Sequence, residues 1–249
     1  MRRLVIRPGA IGDFIVSLPA LESLRTDYLE VWTHRRTVEL VRFANRVRAI
    51  DSTGIELAGI TQGPPPELAG FDDIVSWYGT NRPDFRDAVR GLPFRFFPAL
   101  PHDAVEMHAT DFYLAQLDQP LGGIPRIQCD ARSDNFAVIH PFSGSARKNW
   151  PLDKFRGVAR QLETRMPVRW CSGADDPPLP NAIRIDNLWE LASWLASARV
   201  YLGNDSGITH LAAAVGTPTL AIFGLTDPDV WAPRGPHVRV VRAKMEAKG

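Results

Sequence analysis

The sequence lacks features that would mark several classes of protein. It has two cysteines, Cys129 and Cys171, far apart and without metal-type spacing, so neither a disulfide framework nor a zinc site is predicted. No apolar run is long enough to span a bilayer, and the first one stops at Ile6, so no secretory leader is predicted. These absences favour a cytoplasmic protein with ordinary thiols.

An excess of charge of one sign is also missing. With 29 basic and 28 acidic residues the formal net charge is +1, so we expect no nucleic-acid partner. Peripheral contact of a local patch with a membrane stays open. A hydrophobic content of 45% and a charged content of 23% over 249 residues are typical of a globular chain with room for two domains.

What the sequence does contain is an alternation of strand-type and helix-type segments. In the first half it predicts strands at residues 4–7, 28–33, 47–51, 74–77 and 94–97, and helices from residue 13 and over 36–45 and 108–117. Residues 118–135 are rich in Gly, Pro and charge, so we place a boundary there between domains 1–132 and 133–249. The pattern predicts an α/β fold with Rossmann-like parallel sheets.

The alternation resumes in the second half of the chain. Strands are predicted at 136–140, 168–172 and 200–202 and after Gly216, and helices near 151 or 153, over 187–197 and over 208–215. Gly216 fits the end of the last helix. A polar loop at 141–148 contains Arg147 and Lys148, which either bind phosphate or are solvated charges.

The stretch from residue 199 to 224 reads strand, polar turn, helix, strand. Asp205 and Ser206 stand at the helix entrance, Gly207 lets a ligand approach the backbone, and His210 follows Ser206 at i+4 on one face. A phosphate would meet N–H groups, a hydroxyl and an imidazole there. Alternatively, Asp205 or Ser206 is a plain N-cap and His210 is structural; the residues alone leave both interpretations open.

A second informative turn precedes the first helix. Gly9 and Gly12 give the backbone room, and Asp13 stands at the helix entrance, where it is either functional or a plain N-cap. No Gly-Lys-Ser/Thr follows, so this is not a P-loop, and the three-glycine dinucleotide fingerprint is missing. Hydride transfer is therefore not indicated.

Three stretches resemble one known family. The string GNDSGITHLAAAVGTPTLAIFGLTDPDVWAP at 203–233 is similar to the C-terminal signature of the heptosyltransferase family of glycosyltransferases. The N-terminal MRRLVIRPGAIGDFIVSLPALESLR and the loop IHPFSGSARKNWP at 139–151 resemble that family too. The resemblance implies the GT-B architecture, in which an acceptor-side N-terminal domain and a nucleotide-sugar-binding C-terminal domain face a central cleft.

The resemblance also implies roles for single residues. Asp13 would be the general base, Ser143, Ser145 and Lys148 would hold the donor's diphosphate, and Asp175 stands where relatives often have a Glu that contacts the nucleoside. The substrate-binding residues are thus expected to be Gly12, Ser143, Ser145, Lys148, Asp175, Asp205, Ser206, Gly207 and His210.

We therefore expect an inverting glycosyltransferase that moves a sugar, heptose from ADP-heptose, to a saccharide or glycolipid acceptor of the lipopolysaccharide type. No cofactor or metal is expected, because no Asp-x-Asp pair stands in either candidate phosphate loop. Asp13 would take the acceptor proton as the oxygen attacks opposite the diphosphate. A nucleotide-sugar epimerase of similar architecture and a catalytically silent nucleotide-sugar-binding protein remain as alternatives.

Overall fold

The chain is organised as two compact units. The computed structural model describes residues 1–101, 106–130, 134–173 and 175–243. The first unit comprises Met1–Val105 and Thr110–Leu121, and the second comprises Glu106–Ala109 and Gly122–Gly249. Each is built on a parallel sheet of five strands, so the predicted α/β class with two parallel-sheet units is confirmed. The functional division at residues 132 and 133 stays a prediction.

The first unit has its strands in the order β3-β2-β1-β4-β5. They are β1 Arg2–Arg7, β2 Tyr28–Thr33, β3 Arg46–Ala49, β4 Asp73–Ser76 and β5 Phe94–Phe96. The helices are α1 Ile11–Ser23, α2 Pro83–Ala88 and α3 Ala109–Ala115, with 3₁₀ turns at Arg35–Leu40, Ile50–Ser52, Ile55–Leu57 and Pro66–Gly70.

The centre of this sheet is apolar on both faces. Leu4, Val5 and Ile6 of β1 are fully buried, because β1 pairs with β2 on one side and β4 on the other and is covered above and below. Burying such a side chain stabilises the fold by roughly 1.5–3 kcal/mol. The apolar run therefore fixes β1, and with it the position of the loop that follows.

The second unit has the strand order β10-β9-β8-β6-β7. Its strands are β6 Ala137–His140, β7 Val168–Trp170, β8 Val200–Asn204, β9 Thr219–Phe223 and β10 Val238–Arg242. The helices are α4 Leu152–Glu163, α5 Leu188–Ala196, α6 Gly207–Ala214 and α7 Pro228–Trp231, with a 3₁₀ turn at Ala146–Lys148. One core cluster packs α4 on the sheet through Ile139, Phe155, Ala159, Leu202 and Ile222.

Both sheets reverse their strand order beside their first strand. In the first unit the reversal lies between β1 and β4, and in the second between β6 and β8. Loops leaving the carboxyl ends of these strands turn to opposite faces and leave a crevice, which is where open α/β sheets bind ligands. The loops after β1, β6 and β8 are therefore the first places to look for a site.

Of two local predictions, the end of α6 and a helix over 36–45, the structure confirms the first and contradicts the second. The end of α6 is confirmed: Gly216 has φ +88°, and its N–H donates to Ala213 O at 3.0 Å. The helix predicted over 36–45 is wrong. The segment forms the 3₁₀ turn Arg35–Leu40, because the Thr37 hydroxyl donates back to His34 O at 2.9 Å and β-branched residues there disfavour a longer α-helix. No described helix is long and apolar enough to cross a membrane.

Candidate active site

In the second unit, one buried amide holds the two candidate phosphate segments together. Asn204 ends β8 and is fully buried. Its Nδ2 donates to Pro141 O at 2.7 Å, and its Oδ1 accepts from Trp150 N at 3.0 Å. Both ends of the loop 141–150 are therefore held against the strand that leads into α6. Sequence reasoning missed Asn204.

A cation and a carboxylate meet between these segments. Lys148 Nζ donates to Asp205 Oδ2 at 2.8 Å, and the Thr226 hydroxyl donates to the same oxygen. The Lys148 side chain is 34% exposed, whereas that of Asp205 is 9% exposed. A cation with one side open to solvent can turn toward an incoming anion while the buried carboxylate stays in place. Thr226, like Asn204, was not predicted.

At the N-terminus of α6, the residue that caps the helix differs from the groups that are free to bind an anion. Ser206 is the N-cap, and its hydroxyl accepts from Thr209 N at 3.3 Å, so the cap interpretation holds for Ser206 and not for Asp205. The N–H groups of Gly207 and Ile208 have no acceptor within the helix. They lie at its positive end, so backbone N–H groups are what this entrance presents to an anion.

His210 lies one turn into α6 and is 5% exposed. The pKa of His210 is lowered to about 4, chiefly because burial disfavours the charged imidazole; Asp205 opposes this shift, and His108 and Lys148 add to it. The imidazole is therefore neutral near pH 7. It offers a hydrogen bond rather than a charge.

In the loop after β6, the Ser143 hydroxyl already has hydrogen-bond partners within the loop. Ser143 Oγ lies 2.8 Å from both Ser145 O and Asn149 Oδ1, and Ser145 O accepts from Lys148 N at 2.9 Å. These bonds shape the turn that brings Lys148 to Asp205. Arg147 is exposed, which agrees with its interpretation as a solvated charge.

At the end of β7, the structure distinguishes two neighbouring acids. Asp175 is exposed, whereas Asp176 Oδ2 lies 2.9 Å from His140 Nε2 and accepts from Gly173 N at 2.6 Å. Burial raises the pKa of Asp176, but the hydrogen bonds from His140 and Gly173 outweigh it and lower that pKa. The acid held in place at this edge is therefore Asp176, which sequence reasoning passed over.

The two cysteines are free thiols. Burial, followed by the charge of Asp176, raises the pKa of Cys171 to about 12, so this thiol stays protonated and unreactive.

The described residues contain no group of three or more His, Cys, Asp or Glu that could hold a metal. An Asp-x-Asp pair at Asp227 and Asp229 lies beyond the candidate loops, and Arg242 donates to both carboxylates at 3.2 and 3.1 Å.

In the first unit, Asp13 lies in the first turn of α1. The N-cap of this helix is Ala10, and Gly12 and Asp13 are its second and third residues, so the plain N-cap interpretation of Asp13 is excluded. The positive end of the helix favours a carboxylate here. Beside the turn, Arg7 ends β1 and is 1% exposed, although sequence reasoning treated it as an ordinary strand end.

Three of the residues that the sequence did not single out share one position in the fold. Arg7, His140 and Asn204 are each the last residue of a strand beside a reversal of strand order, and each is at most 2% exposed. A polar residue that closes an apolar strand is rarely buried without a purpose, because burial costs free energy unless its hydrogen bonds are met. This position in the strand identifies all three.

The sequence of the chain is similar to those of known heptosyltransferases. A family model described as glycosyltransferase family 9 (heptosyltransferase) matches residues 101–249. The chain is 30% identical over 116 residues to lipopolysaccharide heptosyltransferase 3 of Escherichia coli K12, a match that covers 40% of this chain and 34% of that protein. It is 27% identical to lipopolysaccharide heptosyltransferase 1 of Pseudomonas aeruginosa over 92% of this chain and 80% of that protein.

Solved structures share the fold. The structure of E. coli ADP-heptose lps heptosyltransferase II superposes with a TM-score of 0.75 at 16% identity, covering 97% of this chain and 90% of that one. E. coli heptosyltransferase WaaC with ADP gives a TM-score of 0.68 at 18% identity, with 98% and 93% covered. The family model covers well over half of the chain, and the resemblance found in the sequence is confirmed: the chain belongs to glycosyltransferase family 9, the heptosyltransferases.

Proposed function

We propose that this protein is an inverting, metal-independent glycosyltransferase that transfers heptose from ADP-heptose to a saccharide or lipopolysaccharide-type acceptor in the cytoplasm. The observation that carries the proposal is the pair of Lys148 and Asp205 at the N-terminus of α6, held 2.8 Å apart beside the reversal of strand order. Family membership supplies the reaction class, and this pair supplies a place for the donor's diphosphate.

The donor's phosphates bind to the second unit in this proposal. Lys148 turns from Asp205 to a phosphate oxygen, and the N–H groups of Gly207 and Ile208 donate to another. Ser143, Ser145, Ser206 and His210 line the same region, with Asp175 toward the nucleoside. Because Lys148 and the positive end of α6 offset the charge that develops on the leaving diphosphate, the reaction does not require a metal.

Asp13 performs the proton transfer in this proposal. Its carboxylate removes the proton of the acceptor hydroxyl as that oxygen attacks the anomeric carbon from the face opposite the diphosphate. The new glycosidic bond forms while the bond to the diphosphate breaks, and the diphosphate leaves with the electron pair. One such displacement inverts the anomeric configuration. Gly12, beside Asp13 in the first turn, leaves room for the acceptor.

The donor site is tested by calorimetry with ADP. Lys148→Ala removes a charge-assisted contact worth roughly 1.5–3 kcal/mol, so ADP affinity should fall by about 10- to 100-fold. Arg147→Ala is the matched control, since it removes an exposed neighbouring cation and should leave the affinity unchanged. Equal affinity in wild type and Lys148→Ala, with the fold intact, contradicts the assignment.

The reaction itself is tested by supplying ADP-heptose with and without a saccharide acceptor. A glycosylated product of inverted configuration is the expected result. Conversion of the donor without any transfer product favours an epimerase, and tight binding without turnover favours a binding protein. Either of those outcomes overturns the proposed transfer.

A further inference from the structure

We infer that Arg7 is a positioning residue for Asp13, acting through the loop 8–10 and the first turn of α1. The inference rests on the proposed role of Asp13 as the base. It comes from a feature that the mechanism above does not use: a guanidinium that is buried next to the turn carrying the proposed base.

The guanidinium of Arg7 forms hydrogen bonds with both the loop 8–10 and the first turn of α1. Its Nη1 donates to Pro8 O at 2.5 Å, and its Nη2 donates to Asp13 O at 3.0 Å. The carbonyl before the helix and the carbonyl of Asp13 itself are therefore held by one rigid fork. Because the fork is planar, it fixes the direction as well as the position of this turn.

Within the described part of the chain, the guanidinium of Arg7 has no charged hydrogen-bond partner. Its hydrogen-bond partners are two carbonyl oxygens and the Tyr113 hydroxyl, which accepts from Nη2 at 2.8 Å, and none of these carries a charge. The Tyr113 ring lies 4.9 Å from the guanidinium carbon, and Nε has no partner in the described part of the chain. A side chain 1% exposed in such surroundings favours a nearby negative charge.

Asp13 is in electrostatic range of this cluster. The pKa of Tyr113 is raised to about 12, chiefly by burial; the charge of Arg7 opposes this shift and that of Asp13 adds to it. The Tyr113 hydroxyl, which also donates to Ala99 O at 2.6 Å, thus senses both charges. Arg7 and Asp13 therefore both lie within electrostatic range of one hydroxyl. We expect the guanidinium to stabilise the Asp13 carboxylate as well as to hold the Asp13 carbonyl.

The loop is built to lie on the guanidinium. Gly9 has φ +154°, and a Cβ at this position would lie 2.9 Å from Arg7 Nη1 and 3.7 Å from Asp13 Cβ. A larger residue would push the loop off the fork. The positive φ already disfavours any other residue at this position, and a Cβ there would in addition displace the Arg7 guanidinium.

Other charged groups lie near α1. The 3₁₀ turn Arg35–Leu40 packs against this helix and carries Arg35, Arg36 and Glu39. These side chains are the same in every variant proposed below. Any effect that they have on the Asp13 midpoint therefore cancels in the comparison.

The test is the titration of the Asp13 carboxyl carbon by NMR in the full chain, with the resonance assigned from its loss in Asp13→Asn. Removing a positive charge makes the carboxylate less stable, so Arg7→Met should raise the midpoint by about half a unit to one unit. Arg7→Lys keeps the charge and should raise it less. Arg3→Met is the control, because Arg3 lies on the same strand and binds Asp73 at 2.5 Å at the other end.

Kinetics with donor and acceptor give a second readout. In Arg7→Met we expect kcat to fall at least 10-fold with KM within about twofold, and the acidic limb of activity to move to higher pH. If Arg7→Met does not fold, Arg7→Lys is the second variant, because it keeps a cation at this position and should show a smaller shift in the same direction. An unchanged Asp13 midpoint in both Arg7 variants overturns the inference.

The inference and the proposed function fail in different ways. Full transfer activity in Asp13→Asn refutes the base, whatever Arg7 does to the titration. Loss of activity in Asp13→Asn, together with a wild-type Asp13 midpoint and wild-type kinetics in Arg7→Met, refutes only the role of Arg7.

Discussion

At the scale of single residues, burial decides what each polar group near α6 can do. His210 is buried and neutral, whereas the side chain of Lys148 is about one-third exposed, so the two would offer different contacts to a phosphate in the proposed site. A bound phosphate would favour the protonated imidazole. The neutral state of His210 is set by burial, which outweighs the opposing effect of the nearby Asp205.

His210 gives the fold a dependence on pH. Its pKa is about 4 in the folded chain, below the ordinary 6.5, so the unfolded chain binds this proton first as the pH falls. The contribution to the free energy of unfolding is complete above about pH 6.5 and is lost between there and pH 4, on the order of 3 kcal/mol. Urea unfolding at about pH 7 and pH 4.5 should show a smaller loss in His210→Gln than in wild type.

His237→Gln is the control for this measurement, because His237 is exposed and in the same unit. It should lose as much stability on acidification as the wild type. Asp176, whose pKa is lowered, also adds to the loss at acid pH, but it does so equally in all three proteins. An identical loss in His210→Gln and wild type contradicts the buried, neutral state of His210.

At the scale of elements, Asn204 joins β8 to both ends of the loop 141–150. Replacing it with Ala leaves Pro141 O and Trp150 N without their buried partner, which we expect to cost roughly 2–4 kcal/mol of unfolding free energy. Because the loop positions Lys148, affinity for ADP should fall as well, by about 10-fold. Urea unfolding and calorimetry measure the two effects.

Asn187→Ala is the matched control at this scale. Asn187 caps α5 by accepting from Trp189 N and Glu190 N, so its loss should cost about 1 kcal/mol without changing ADP affinity. If Asn204→Ala binds ADP as the wild type does, the loop is held by other contacts and Asn204 has a purely structural role.

The sequence predicted the elements better than the contacts between them. β1, β6, β8 and α6 follow from apolar runs and from Gly216, because strand burial and the helix end are local properties. The turn at Arg35–Leu40 was mistaken for a helix, since Thr37 bonds to His34 instead of extending the ladder. The two hydrogen bonds of Asn204 to the loop 141–150 could not be predicted from the sequence. They depend on which backbone groups of a distant loop lack a partner in that loop.

At the scale of the whole molecule, the proposed chemistry is divided between the units. Lys148, Asp205 and α6 belong to the second unit, and Arg7, Asp13 and α1 belong to the first. Variants in the two units should therefore separate binding from catalysis. Lys148→Ala should lower donor affinity, whereas a change at Asp13 should leave donor affinity intact.

Asp13→Asn is the variant that decides between an enzyme and a binding protein. Asn keeps the size of the side chain but cannot accept the acceptor's proton, so the transfer rate should fall by about 10² to 10⁴ while ADP affinity stays within about twofold. Because Asn would also remove a negative charge that the proposed mechanism places near the anomeric carbon, the rate alone does not prove proton transfer. The pH profile does: the wild type should lose activity on acidification with one apparent pKa, and Asp13→Asn should lack that limb. Wild-type transfer by Asp13→Asn, measured with ADP-heptose and the true acceptor, would leave the turn at Asp13 with a structural role alone.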